Sequence, residues 1–223
     1  MSHDKFEPDY IAVEGVIGVG KTCFAQMLSE RLEARLINEE VFENPFLVDF
    51  YKDRKRYALS CQLYFLITRF QQQQELMVRD LFAQKIVADY LFAKDAIFAS
   101  VNLSERELAL YNKIAPALSR DVPSPDLVIY LQASTPVLLE RIRGRNLPFE
   151  KPIDFDYVAM LNTAYDYYFF HYMDSPLLVV KTDEIDFVHR PEHFDDLIEQ
   201  ISKPIAGKKY YSPTSGNPQP ESK

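Results

Sequence analysis

The segment Gly15-Val-Ile-Gly18-Val-Gly20-Lys21-Thr22 fits the pattern G-x4-G-K-[ST] and concentrates more chemistry than any other stretch of the chain. Glycines in these places let the backbone wrap closely around phosphate oxygens and turn its N–H groups inward, and a helix that starts at the lysine adds a favourable dipole. Lys21 supplies a point charge for the outer phosphates, and Thr22 a hydroxyl for Mg2+. Val19 and Cys23, inside the loop and just beyond it, belong to the same nucleotide-binding stretch. A dinucleotide-binding loop is the rival reading, but G-x-G-x-x-G would need glycine where Cys23 stands. The pattern therefore points to a nucleoside triphosphate, and it is silent on what accepts the phosphate.

Phosphoryl transfer to a hydroxyl needs a base or orienting carboxylate, magnesium, and positive charge for the group in flight. Glu39 and Glu40 follow one predicted strand and Asp89 ends another, so all three fall where α/β sheets gather their catalytic groups. One of the two glutamates is a candidate base, and Asp89 is a further acid at a strand end. Alternate arginines at Arg141, Arg143 and Arg145 end a helix and enter a loop, where they can close over polyphosphate and exclude water.

The elements that must hold these groups alternate. Strands are expected at 10–14, 35–39, 85–89, 126–132 and 176–182, with helices at 21–33, 56–80, 105–119, 135–142, 154–172 and 191–202. The run 126–132 (DLVIYLQ), nearly all apolar and behind two prolines, reads as a strand buried on both faces. The expected architecture is an α/β fold, a five-stranded parallel sheet flanked by helices on both faces. One domain, residues 1–206, is expected, with a lid at about 141–151 and a mobile tail over 207–223, where Pro, Gly, Ser and Lys collect. Gln71 to Gln74 are expected on a solvated helix face, and Cys23 and Cys61 as reduced, small core residues.

A net charge of −8 argues against a nucleic-acid polymer as partner. No apolar run reaches the roughly 18 residues of a membrane span. The first residues, MSHDKFEPDY, have no secretory leader, which makes a cytoplasmic location the expectation. Four scattered histidines offer no zinc constellation.

The blocks GVIGVGKT, EEVFENPFLVDFY, RYALSCQLYFLITRFQQ, VADYLFAKDAIFA and ERIRGR resemble the deoxyribonucleoside kinases in order and spacing over roughly residues 10–190. Within that family the second and third blocks are most similar to bacterial members acting on deoxyadenosine or deoxyguanosine. The resemblance implies a P-loop kinase fold, ATP and Mg2+, a homodimer, and roles for particular residues. Glu39 would be the base toward the sugar 5′-hydroxyl, Tyr51 and Glu150 would hold the 3′-hydroxyl, and Gln62 would read the nucleobase edge. Arg69 and Asp95 would form a charged pair beside the base, and Phe98 would stack on the ring. Arg141, Arg143 and Arg145 would form the lid, with Arg143 acting in catalysis beside Lys21 and Asp89, and Asp89 would serve magnesium with Thr22. Asp186 and Phe187 would pack on the donor's adenine. The aromatics Tyr165, Tyr167, Tyr168, Phe169, Phe170 and Tyr172 would divide between the core and a dimer face. One departure stands out: family members carry an arginine after the acid of the third strand, and Tyr90 follows Asp89 here. Lys94 or a lid arginine is left to supply that charge.

The reaction so implied is ATP-dependent phosphorylation of a deoxynucleoside 5′-hydroxyl. Deoxyadenosine or deoxyguanosine is favoured and deoxycytidine tolerated, because a charged pair suits a base with an amino group, and thymidine is disfavoured. The alternatives are a nucleoside monophosphate kinase, which would need a further anion site, and a non-catalytic nucleotide-binding regulator.

Overall fold

The computed structural model describes residues 7–79, 85–120, 122–188 and 190–212. The chain runs β1 (Tyr10–Gly15), α1 (Lys21–Arg31), β2 (Arg35–Ile37), α2 (Leu47–Lys52), α3 (Arg54–Arg79), β3 (Ile86–Ala88), α4 (Lys94–Asn102) and α5 (Glu105–Ser119). It continues through β4 (Leu127–Gln132), α6 (Thr135–Gly144), α7 (Phe155–His171), β5 (Leu177–Lys181), α8 (Pro191–Ile201) and β6 (Lys208–Tyr211). Short 3-10 turns lie at Val41–Glu43 and Pro148–Glu150.

All strands pair in parallel, in the order β2-β3-β1-β4-β5-β6. The central strands β1 and β4 are apolar on both faces because helices cover both, and Ile11, Ala12, Val13 and Val128 to Leu131 are fully buried. On one face the rings of Tyr130 and Phe169 stack with centroids 4.2 Å apart, which fastens α7 to β4. Local signals fix the helix ends. Ser104 and Glu107 form a capping box at α5, Asp154 accepts from the Tyr157 N–H (2.8 Å) at α7, and prolines open α6 and α8.

Three expectations need correction. Among the described residues the sheet has six strands, the sixth being Lys208–Tyr211, paired with β5 inside the stretch whose composition suggests a tail. An edge strand rich in lysine and half open to solvent has the composition of a tail, since charge is what keeps such an edge from pairing further. The rest of that stretch, 213–223, lies outside the described residues, as does His189. Cys23 is exposed, because it faces outward from the first turn of α1, whereas Cys61 is buried as expected. Gln73 is completely buried rather than solvated, and its side-chain amide donates to the Tyr90 hydroxyl at 3.2 Å. Tyr90 itself is completely buried in a small cluster with Ile37 and Ala88, apart from the main core. Of the aromatics of α7, Tyr165 and Phe169 are core residues, and Tyr167 and Phe170 are exposed.

The loop after β1 depends on glycine at Gly18, where φ is +90° and an added Cβ would lie 2.7 Å from both the Leu138 carbonyl and the Ile142 side chain. Gly18→Ala should therefore destabilise the fold by at least about 1–3 kcal/mol. A fall in the urea midpoint at unchanged m-value would register it.

Candidate functional site

At the carboxyl ends of β1, β2 and β3 lies a cavity of about 340 Å³, the small end of the range for small-molecule sites. One end is the phosphate loop, where Gly18, Gly20, Lys21, Thr22 and Cys23 form the wall. The other end is built by α2, α3 and α4, which contribute Tyr51, Gln62, Arg69 and Phe98. Glu39, Asp89 and Lys94 stand between the two ends.

The loop end is held by its own lysine. Lys21 Nζ folds back to donate to the carbonyls of Gly15 (2.7 Å) and Val16 (3.3 Å). The Gly15 N–H donates to Glu14 Oε1 (2.8 Å), so Gly15 serves the turn and its N–H points at a buried carboxylate. Thr22 Oγ1 donates to Asp89 Oδ2 and the Glu39 N–H to Asp89 Oδ1, each at 2.7 Å. Asp89 thereby locks the start of α1 to the end of β2. Two hard oxygens a hydrogen bond apart fit Mg2+, which takes few protein ligands and completes its octahedron with phosphate oxygens and water. Among the described residues no larger group of metal-binding side chains occurs.

Glu39 is the most heavily engaged carboxylate. Arg69 donates to its Oε1 through Nε (2.9 Å) and also through Nη2, and Lys94 Nζ pairs with its Oε2. Burial alone would push this carboxyl up, but Lys94 and Arg69 outweigh it and hold Glu39 well below the ordinary carboxylate range. Arg69 reaches on through Nη1 to Asp95 Oδ1, and Asp95 Oδ2 accepts from the Tyr111 hydroxyl at 2.7 Å. Gln62 Nε2 donates to the Asp95 backbone carbonyl (2.8 Å), which fixes the turn of its amide. Asp95 thus stands behind Arg69 and, contrary to the expectation that it sits beside the base, does not itself line the cavity.

At the open side Tyr51 stacks on Phe149 (centroids 6.1 Å apart) next to Glu150. One Glu150 oxygen accepts from Arg145 (3.0 Å), and the other, Oε2, is buried without a hydrogen-bond partner. Such an oxygen is poised to accept from a ligand hydroxyl. Burial raises the Glu150 carboxyl above its usual value, an effect that Arg145 offsets in part.

The remaining expected residues do not join the cavity. Arg141 clamps the loop by donating to the Val19 carbonyl (3.1 Å) and the Thr182 carbonyl (2.7 Å). Arg143 is exposed at the end of α6. Phe187 is core, edge-on to Phe24 at 5.3 Å and directly beneath Gly20, while the Asp186 N–H donates to His193 Nδ1 at 3.0 Å. Sequence reasoning passed over two contributors. Glu14 is completely buried and accepts from the Gly15 N–H, the Leu91 N–H (2.8 Å) and the Tyr165 hydroxyl (3.2 Å). Asn44 is buried, donates to the Cys61 carbonyl (3.0 Å), and accepts from the Phe46 N–H (2.9 Å). Both carried a signal: a lone acid inside an apolar strand, and an asparagine before a proline.

Comparison with known proteins gives a consistent neighbourhood. The profile of the family described as deoxynucleoside kinase matches residues 11–206. The chain is 36% identical over 203 residues to the deoxyguanosine kinase of Bacillus subtilis (strain 168), covering 88% of this chain and 97% of that one. It is 35% identical over 198 residues to the deoxyadenosine kinase of Dictyostelium discoideum, covering 86% of this chain and 79% of the relative. Among solved structures, deoxyadenosine kinase from M. mycoides with bound dATP superposes with a TM-score of 0.76 at 27% identity, covering 86% of this chain and 98% of that one.

Burial and the nearby Lys94 ammonium lower Lys21 to about 8. Below that pH the ammonium attracts phosphate, and above it a neutral amine does not. The affinity for a non-hydrolysable nucleoside triphosphate should therefore fall as pH rises through about 8, by at most ~10-fold per pH unit, because binding then requires proton uptake. Calorimetric titrations between pH 7 and 9.5 would check this, and in Lys21→Met the slope should vanish.

Proposed function

The chain belongs to the deoxynucleoside kinase family, and we propose that it moves the γ-phosphoryl group of ATP to the 5′-hydroxyl of a purine deoxynucleoside. It is a phosphotransferase that acts on nucleosides. The observation that carries the finer reading is the continuity of one cavity from Lys21 and Thr22, past Glu39 and Asp89, to Gln62 and Arg69. That layout matches the linear order of a triphosphate, a sugar hydroxyl and a nucleobase.

Glu39 orients the 5′-hydroxyl and receives its proton as the new O–P bond forms and the bond from phosphorus to the β–γ bridging oxygen breaks, releasing ADP. Lys21 neutralises the outer phosphates. Thr22 and Asp89 would hold Mg2+, which would supply further positive charge to neutralise the same phosphates. The unpartnered oxygen of Glu150 and the hydroxyl of Tyr51 hold the 3′-hydroxyl, and a short pocket closed by Phe149 suits a sugar. Gln62, whose amide can donate and accept, meets the base edge, with Phe98 against the ring. Arg145, Arg143 and Arg141 form a lid over the donor, of which Arg141 is already docked on the loop. Asp186 and Phe187 support the adenine side.

Arg69, tied to Asp95, sets the class of base. Arg69 is the member of the pair that lines the cavity, and its guanidinium can donate to a purine ring nitrogen or carbonyl oxygen, whereas a thymine methyl would meet charge. The relatives from Bacillus subtilis and Dictyostelium discoideum, named for deoxyguanosine and deoxyadenosine, support this. The reading extends to a single domain over 1–206 and to a cytoplasmic homodimer. Among the described residues no helix is long and apolar enough to cross a membrane. The exposed rings of Tyr167 and Phe170 on α7 support a packed face.

A radiolabelled ATP assay across four deoxynucleosides should give the highest kcat/KM for deoxyguanosine or deoxyadenosine and the lowest for thymidine. A strong thymidine preference would sink the pocket argument. Glu39→Gln should keep nucleoside affinity while kcat falls at least ~100-fold, the scale for losing a base. Single-turnover kinetics would separate the two effects, and near-normal turnover would refute the role.

A further inference from the structure

Lys94 opens α4, and its side chain is buried on the cavity wall. Its backbone is pinned, since its N–H donates to the Leu91 carbonyl (2.9 Å) and the Leu91 N–H donates to Glu14. Its ammonium stands 5.7 Å from the Phe98 ring centroid and, among the described residues, makes one ion pair, with Glu39 Oε2. Arg69, the other cation on Glu39, is fixed from two sides, because Asp95 holds it and Tyr111 holds Asp95. Of the two cations, Lys94 alone combines a flexible stem with a single partner.

An acceptor hydroxyl that hydrogen-bonds to Glu39 competes for the oxygen that Lys94 occupies. Lys94 lines the same cavity as Lys21 and Glu39, so both cations face the space between the loop and Glu39. A phosphoryl group crossing from a donor on Lys21 to a hydroxyl on Glu39 passes between them. Its equatorial oxygens carry the charge that must be neutralised in the transition state. Tyr90, completely buried, offers no charge there.

We propose that Lys94 is a further catalytic residue, whose ammonium leaves Glu39 Oε2 when the acceptor hydroxyl arrives and takes an oxygen of the phosphoryl group in flight. This rests on the acceptor reading given above. The hydroxyl proton goes to Glu39, the phosphorus exchanges its bond to ADP for one to the 5′-oxygen, and Lys94 keeps its proton throughout. In the resting enzyme the same ammonium holds the base neutralised. One residue therefore compensates Glu39 before substrate binds and compensates phosphate afterwards.

A purely structural Lys94 would act only by balancing Glu39, and a double-mutant cycle separates the two roles. Lys94→Met should lower kcat ~100-fold, the scale for losing one preorganised donor to a transition-state oxygen, with deoxynucleoside Kd changed by less than ~3-fold. Lys94→Arg should recover part of the rate. In the Glu39→Gln background, where no carboxylate remains to be balanced, adding Lys94→Met should still cost at least ~10-fold in kcat. The double variant also removes both charges of the pair, so it is expected to fold where the single variant fails. A silent Lys94→Met in that background, or a kcat within ~3-fold in the wild-type background, would overturn the proposal. Wild-type protein inactive on every deoxynucleoside would instead overturn the acceptor reading.

Discussion

Charge cannot be buried alone, and around this site the chain buries a great deal of it. Glu14, Glu39, Asp89, Asp95, Arg69 and Lys94 are all almost completely shielded from water. Each is held by contacts between elements distant in sequence: Arg69 of α3 with the end of β2 and with α4, Asp89 after β3 with α1, and Glu14 of β1 with the loop before α4. Removing one partner of such a pair strands the other and costs about 3–5 kcal/mol, whereas the complete set is nearly neutral in stability. The network therefore adds little energy and instead fixes where β1, β2, α3 and α4 sit relative to one another. The hydrophobic sheet and its helices supply the stability, and the charges supply the register.

Much of the fold was open to the sequence because its signals are local. Continuous apolar runs mark strands buried on both faces, and helical periodicity, prolines and caps mark the helices between them. The start of α5 and the opening of α6 fall where those signals put them. The strand expected at 35–39 is present as the three-residue β2, but two short pieces were not legible: α2 has six residues, and β6 is an edge strand with the composition of a tail. Their placement is decided by what they pack on, which no local pattern records.

The site divides along the same line. The phosphate loop is contiguous, and steric need for glycine writes itself into the sequence. Glu39, Gln62, Arg69 and Asp95 come from β2, α3 and α4, and only resemblance to relatives brought them together before the geometry did. Composition could not say that Gln73 turns inward to hold Tyr90, or that Arg141 docks on the Val19 carbonyl of the loop. Glu14 was readable in principle. A carboxylate inside an apolar strand must find donors, and here it finds two backbone N–H groups and a tyrosine.

On the proposed reading, Arg69 makes selectivity and chemistry inseparable. Its guanidinium holds Glu39 with one side and Asp95 with the other, while also lining the cavity. Any change at Asp95 alters the position or charge compensation of Arg69 and so reaches Glu39 without touching a sugar or a phosphate. A base that displaces Arg69 from Asp95 would do the same. Discrimination among nucleosides in this architecture should then appear in turnover as well as in binding. Five donors in a rigid fork can hold two carboxylates at a set separation, and lysine has no such geometry. The rigid cation accordingly spans the two carboxylates, and the flexible one, Lys94, pairs with Glu39.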